Sequence, residues 1–242
     1  IQHRSERAQG ALERVLARDV LVRARTQLVN HVRSRVKCAG ARLKGHAPET
    51  FSPRLLDEVP TERRAALQPV LETLENLNQS IKQCDRDIVQ VSEQEFPETK
   101  VLRQVKGVGP LTALTFVATI EEPSRFASSR RVASYLGLRP RLDQSGQQDK
   151  QLGISKSGNP LLRRLLVISA QWILGPFGVD SDLREWGLGL AARGGKGAKK
   201  RAVVAVARKL SVLLLALWRS GGTYEPRRKK NTATEECSLK AA

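Results

Sequence analysis

Along Val70, Leu74, Leu77, Ile81, Cys84, Ile88 and Val91, apolar residues return in alternating steps of four and three. That spacing keeps one stripe of an α-helix facing a partner helix. A strand alternates its faces with a period of two, so it cannot gather these residues on one side. The region from Thr61 to Phe96 therefore reads as a long coiled-coil helix, with Pro69 either opening its main part or kinking it. Upstream, Glu6 to Cys38 contains no proline and places Leu12, Val15, Val22, Val29, Val32 and Val36 at helical spacings. This predicts one long helix or two in line, with Gly40 as a stop. Between them, Gly45 to Pro60 holds three prolines and small polar residues, which makes a linker.

The composition changes at Lys100, where short apolar helices begin to alternate with glycine-bearing turns. Helices are predicted at about 98 to 104, 110 to 121, 129 to 136, 160 to 173 and 198 to 219. A loop is expected from 139 to 159, in which strands could hide. The expected architecture is mainly α: a long helix over 1–44, a linker and coiled coil over 45–97, and a compact helical domain with a helix-hairpin-helix motif over 98–220. A disordered tail is expected over 221–242, basic at Arg227 to Lys230.

Charge narrows the class of partner. Lys and Arg total 42 against 24 Asp and Glu, a formal charge of +18, so a polyanion is the expected partner. With only ten aromatic residues, base stacking is a weaker route than phosphate contact by Lys and Arg. Three cysteines and three histidines without a CxxC argue against a disulfide framework or a structural zinc site. The opening residues lack the apolar run of a secretory signal. The most apolar stretch, Ala202 to Trp218, carries Arg208 and Lys209 near its centre, which fits a buried helix better than a membrane span. The expected setting is a reducing, intracellular one, cytoplasmic or nucleoid-associated, with no membrane partner.

Three segments carry the candidate chemistry. In Leu102 to Ile120, Gly107 and Gly109 allow a tight turn and Pro110 suits the first position of a following helix. This helix-hairpin-helix pattern would aim backbone N–H groups at a phosphate, or would be only a compact turn. In Gly137 to Leu166, a polar loop carries Arg139, Arg141, Lys150 and Lys156, and Asn159-Pro160 starts a helix with Arg163 and Arg164 on its first turn. Ser145 and Ser155 in that loop are each a nucleophile, a phosphate ligand or simply a turn serine. In Arg193 to Trp218, a glycine-rich turn with Lys196, Lys199, Lys200 and Arg201 opens a helix without the GKS/T ending of a P-loop. No grouping of acidic residues has the spacing of a two-metal carboxylate site, so no metal ligand is assigned in this chain.

The stretches VKGVGPLTALTFVATI, RFASSRRVASYLGLRPRLDQSG, GISKSGNPLLRRLLV and GAKKRAVVAVARKL follow one another between Lys100 and Trp218. Their order and spacing resemble the C-terminal part of a DEDD-type bacterial insertion-sequence transposase, the IS-one-ten family. RARTQLVNHVRSRVKCAG, Arg23 to Gly40, is similar to the helix leaving that family's RuvC-like domain, and Thr61 to Phe96 to its coiled coil. The resemblance implies a two-part DNA recombinase in which RuvC-like acidic residues bind Mg2+ and a second domain supplies a serine nucleophile. It implies oligomers joined through the coiled coil and guided by an element-encoded RNA.

The family's serine lies in a Ser-Gly pair just after GLxPR, which puts it on Ser145 beside Gly146. Here Gln144 and Gln147 replace the flanking small polar residue and second glycine of the usual pattern. The RuvC-like acidic residues would lie upstream of Ile1, so Mg2+ is expected only with that half and none on this chain. The expected function is DNA strand cleavage and recombination through Ser145, in a fragment or truncated form of the transposase. The alternatives are a non-catalytic nucleic-acid-binding remnant, an inhibitor of an intact transposase, or a coiled-coil assembly module.

Overall fold

The computed structural model describes residues 4–43, 45–145 and 148–227, with the backbone alone over 142–145 and 148–151. The chain is mainly α-helical and divides into two compact units, Ser5–Val91 and the region from Ser92 onward. The segments expected as 1–44 and 45–97 thus belong largely to one unit.

In the first unit, α1 (Glu6–Cys38) is a single helix and α2 (Thr61–Gln94) a second, joined through short 3-10 turns at Pro48–Thr50 and Pro53–Glu58. Ser5 caps α1 by accepting from the Ala8 N–H at 3.2 Å, and Gly40, at φ +81°, supplies the left-handed residue just past its end. The helices run antiparallel: Arg18 bonds Asp85 at 2.7 Å and Arg25 bonds Asn78 at 3.2 Å, so rising numbers on one meet falling numbers on the other. Val29, Val32 and Val36 share a core with Leu67, Leu71, Leu74 and the linker residues Phe51, Leu55 and Val59. Buried Asn78 is satisfied on both sides, donating to the carbonyls of Glu49 (3.1 Å) and Phe51 (3.3 Å).

Leu74, Ile81, Ile88 and Val91 of the expected seam are buried within the chain, whereas Val70, Leu77 and Cys84 lie half-buried at its flank. The buried stripe instead includes Leu67, Leu71 and Asn78. A heptad pattern fixes the stripe but not its occupant, and a helix tethered by a short linker competes at high effective concentration. Leu74 is fully buried, so Leu74→Ala should cost about 2–5 kcal/mol. Urea unfolding followed by helical circular dichroism would measure it.

In the second unit, α3 (Thr99–Leu102), α4 (Pro110–Ile120), α5 (Arg131–Tyr135), α6 (Pro160–Leu174) and α7 (Asp182–Ala192) surround or adjoin α8 (Ala198–Ser220). The long helix α8 touches α3, α5, α6 and α7, and buries Ala202, Val206, Leu210, Leu214 and Leu215. α4 is buried from Thr112 to Ile120, the pattern of a helix enclosed on all sides. Among the described residues no helix is long and apolar enough to cross a membrane.

Three features depart from the expected layout. The loop over 139–159 contains an antiparallel hairpin, β1 (Pro140–Ser145) and β2 (Gln148–Ile154), whose polar sequence hid its strands. Helix α7 was not expected, because Gly187 and Gly189 weaken its propensity; Gly187 sits where a Cβ would press on Val206 and Leu174 of the neighbouring helices. The first part of the expected tail is tied down: Tyr224 donates its N–H to Gln104 Oε1 at 2.7 Å, and the Pro226 carbonyl accepts from Asp182 N–H at 2.8 Å. Arg227 pairs with Asp180, Asp182 and Glu185, and its hydrogen bonds to Asp180 and Glu185 hold its guanidinium pKa above the usual arginine range. Residues 228–242 lie outside the described residues.

Candidate nucleic-acid interface

The GVG turn between α3 and α4 has two different glycines. Gly107, at φ +97°, lies so close to α6 that a Cβ would stand 2.8 Å from Trp172 Cε3 and 3.1 Å from Ile173 Cγ1. Its identity is accounted for by backbone conformation and packing. Gly109 precedes Pro110 with open space around its Cα, and α4 receives no side-chain cap there. The turn therefore leaves its outer glycine exposed, whereas Pro110 has no N–H to offer and Thr112 is buried.

The hairpin places Ser145 at the end of β1, opposite Gln148 in register, and pairs Asp143 with Lys150. Gly146 and Gln147 lie outside the described residues, as do the side chains of Ser145 and Lys150. The foot of the hairpin is fully defined. Ser155 donates its N–H to Arg139 O at 2.9 Å, and Lys156 donates its N–H to Gly137 O at 3.1 Å. These bonds bring Arg139 and Lys156, both exposed, to the same foot; Arg141 is exposed one residue into β1. The Ser155 and Ser157 hydroxyls lie 3.1 Å apart in the open. That contact pairs two hydroxyls and by itself assigns Ser155 no reactive role.

Arg163 and Arg164 separate sharply. Asn159 caps α6 by accepting from the N–H groups of Leu161 (2.9 Å) and Leu162 (3.1 Å). One turn on, Arg163 Nη1 donates to Leu136 O at 3.0 Å and to Ser157 O at 2.6 Å. It is thus half-buried and engaged by the protein backbone, whereas Arg164 is exposed.

Two glycines that sequence reasoning did not single out make this foot possible. Gly137 (φ +69°) and Gly158 (φ +73°) bracket the loop, and a Cβ on either would overlap backbone of the opposite segment: Ser157 in the first case, Tyr135 O in the second. A glycine at each end of a long polar loop was the available signal.

At the start of α8, Lys196, Lys199 and Lys200 are all exposed. Arg201 folds back, donating to Lys196 O at 2.8 Å, and closes the turn in which Gly194, Gly195 and Gly197 have positive φ. The first turn of α8 contains no acidic residue, so its cations stand at the positive end of a helix of 23 residues. Each such placement opposes the helix dipole by about 0.3–1 kcal/mol. A bound phosphate would reverse that sign.

Residues 99–176 match the family described as Transposase IS116/IS110/IS902. The chain is 30% identical over 234 residues to a probable family 20 transposase of Pseudomonas aeruginosa, covering 93% of this chain and 68% of that protein. It is 30% identical over 214 residues to the transposase for insertion sequence element IS1111A of Coxiella burnetii, covering 86% of this chain and 58% of the relative. A pilin gene-inverting protein of Moraxella bovis is 28% identical over 160 residues, 64% of this chain and 48% of that protein. The chain thus spans little more than half the length of the Coxiella relative.

Proposed function

The chain belongs to the IS116/IS110/IS902 transposase family, and from that membership we propose that it is the DNA-binding and strand-cleaving portion of an insertion-sequence recombinase. The observation that carries the binding half is the cluster of exposed lysines at the positive end of α8, an arrangement unfavourable in the free protein and favourable against phosphate. The GVG turn, read as a helix-hairpin-helix, would add backbone N–H contacts through Gly109. Arg139, Arg141, Lys150, Lys156 and Arg164 would add charge around the hairpin.

The catalytic half of the proposal assigns Ser145 as nucleophile. Its oxygen would form a bond to a scissile phosphorus as one phosphorus–oxygen bond to a deoxyribose breaks. The serine proton would be given up and the departing sugar oxygen would leave as a hydroxyl. The phosphoserine link keeps a reactive phosphodiester for rejoining. Cations at the hairpin foot would offset the charge that develops on the phosphate oxygens. Among the described residues there is no group of three or more His, Cys, Asp or Glu that could hold a metal ion. In this reading Mg2+ belongs with the RuvC-like carboxylates that the family resemblance implies.

The same reading has the protein acting at the bacterial nucleoid in an RNA-guided homo-oligomer. Self-association through α2 would have to use the half-buried flank at Val70, Leu77 and Cys84, since the stripe beside it is already filled.

The test is to incubate the chain, with a full-length relative and guide RNA, on end-labelled element DNA and to look for a covalent adduct that survives denaturation. The adduct should form and vanish in Ser145→Ala while DNA binding is retained. Binding without any adduct would replace this reading by the binding-only one, a remnant or inhibitor. Absence of binding at moderate salt would leave only an assembly role.

A further inference from the structure

We infer that Arg163 is a positioning residue for the hairpin that carries Ser145, rather than a ligand of nucleic-acid phosphate. The inference rests on the reading of Ser145 given above. A single guanidinium nitrogen of Arg163 bridges Leu136 O (3.0 Å) and Ser157 O (2.6 Å), one carbonyl from each side of the hairpin foot. Those two segments cross where Gly137 and Gly158 allow backbone to touch backbone. The crossing is further tied by the Lys156 N–H to Gly137 O bond and the Ser155 N–H to Arg139 O bond.

Arg163 itself is anchored. It lies on the first turn of α6, whose N-terminus is fixed by Asn159, and Asn159 Nδ2 donates to Thr119 Oγ1 on α4 at 3.4 Å. The brace therefore runs from the buried helix α4 through the α6 N-terminus to both legs of the hairpin. Lys156, held at φ +59°, is a non-glycine residue in the left-handed region, a conformation that persists only where neighbouring contacts impose it. A two-stranded hairpin packs few apolar residues and is marginally stable by itself. Its direction is accordingly set at the foot, and the terminus of β1, where Ser145 sits, inherits that direction. A misplacement of about 1 Å at a reacting group is enough to cost ~100-fold in rate.

The proposal is tested with Arg163→Met, which keeps the apolar stem and removes the donors, beside Arg164→Met on the same turn. Amide hydrogen exchange of the chain should show Ser155 and Lys156 exchanging at least about tenfold faster in Arg163→Met, with α8 amides unchanged. The slope of log affinity against log salt for duplex DNA should be unaltered in that variant and reduced by about 0.9 in Arg164→Met. In the adduct assay, Arg163→Met should lower the rate at saturating DNA about tenfold or more and leave half-saturation where it was. Arg163→Lys, which keeps one donor group on a flexible stem, should restore part of that rate.

Three outcomes overturn the inference: a reduced salt slope with unchanged exchange, which makes Arg163 a phosphate contact; faster exchange spread evenly over the unit, which makes it a general stability residue; or faster exchange at the foot with an unchanged adduct rate. Failure of the Ser145 reading is separately visible, because Ser145→Ala would then leave the adduct intact while the exchange result stood.

Discussion

Gly158→Ala is expected to uncouple the hairpin from the helical domain at a cost above about 3 kcal/mol, more than most single substitutions at exposed positions. Two terms add. An L-residue held at φ +73° is strained by about 1–2 kcal/mol. The new methyl would also overlap the Tyr135 carbonyl oxygen, which is backbone and can retreat only by moving α5 or opening the crossing. Gly137→Ala should behave alike, since its methyl would meet Ser157 backbone. The expected signature is local: fast amide exchange across 137–158 and loss of the Ser145 adduct, with the helical circular dichroism of α4 and α8 retained. Gly153→Ala, where a Cβ meets nothing within 4 Å, is the matched control and should change neither. Equal behaviour of Gly158→Ala and Gly153→Ala would show that the crossing does not hold the hairpin.

The second large effect is on binding. Replacing Lys196, Lys199 and Lys200 together by Gln should reduce the salt slope for duplex DNA by about 2.7 and lower affinity by roughly a hundredfold or more near 0.1 M salt. The same variant should unfold at an equal or slightly higher temperature, because three cations leave the positive end of α8. Opposite movement of binding and stability is what separates a functional cluster from a solvated one. Arg201 is left in place because it closes the preceding turn through Lys196 O. A salt slope equal to that of the parent protein would remove this surface from the interface.

Helices α4, α6 and α8 were legible almost to the residue. Each is announced by local chemistry that acts within one turn: Pro110 after Gly109, Asn159 before Pro160, and the glycine-rich turn before Ala198, with Gly221 after Ser220. The family was legible from the order of motifs. Helix α7 was not legible, because the gain that offsets Gly187 comes from Val206 and Leu174, which are remote in sequence. The hairpin was hidden for a related reason. Its strands pair with each other and have no apolar face to alternate.

Among candidate site residues, sequence type alone could not divide Arg163 from Arg164, or Arg201 from Lys200. All four are cations in polar surroundings; Arg163 meets Leu136 O, far away in the chain, as well as Ser157 O, and Arg201 meets Lys196 O across its own glycine-rich turn. The amino-acid sequence thus determined the capped helices α4, α6 and α8, the basic character and the family, since propensity, capping and charge act over a few residues. Only the tertiary structure decided that four of the seven heptad-seam residues are buried within the chain and that the segments at Gly137 and Gly158 cross. It also decided that Arg163 serves the hairpin foot, because each of these depends on contacts between segments far apart in the chain.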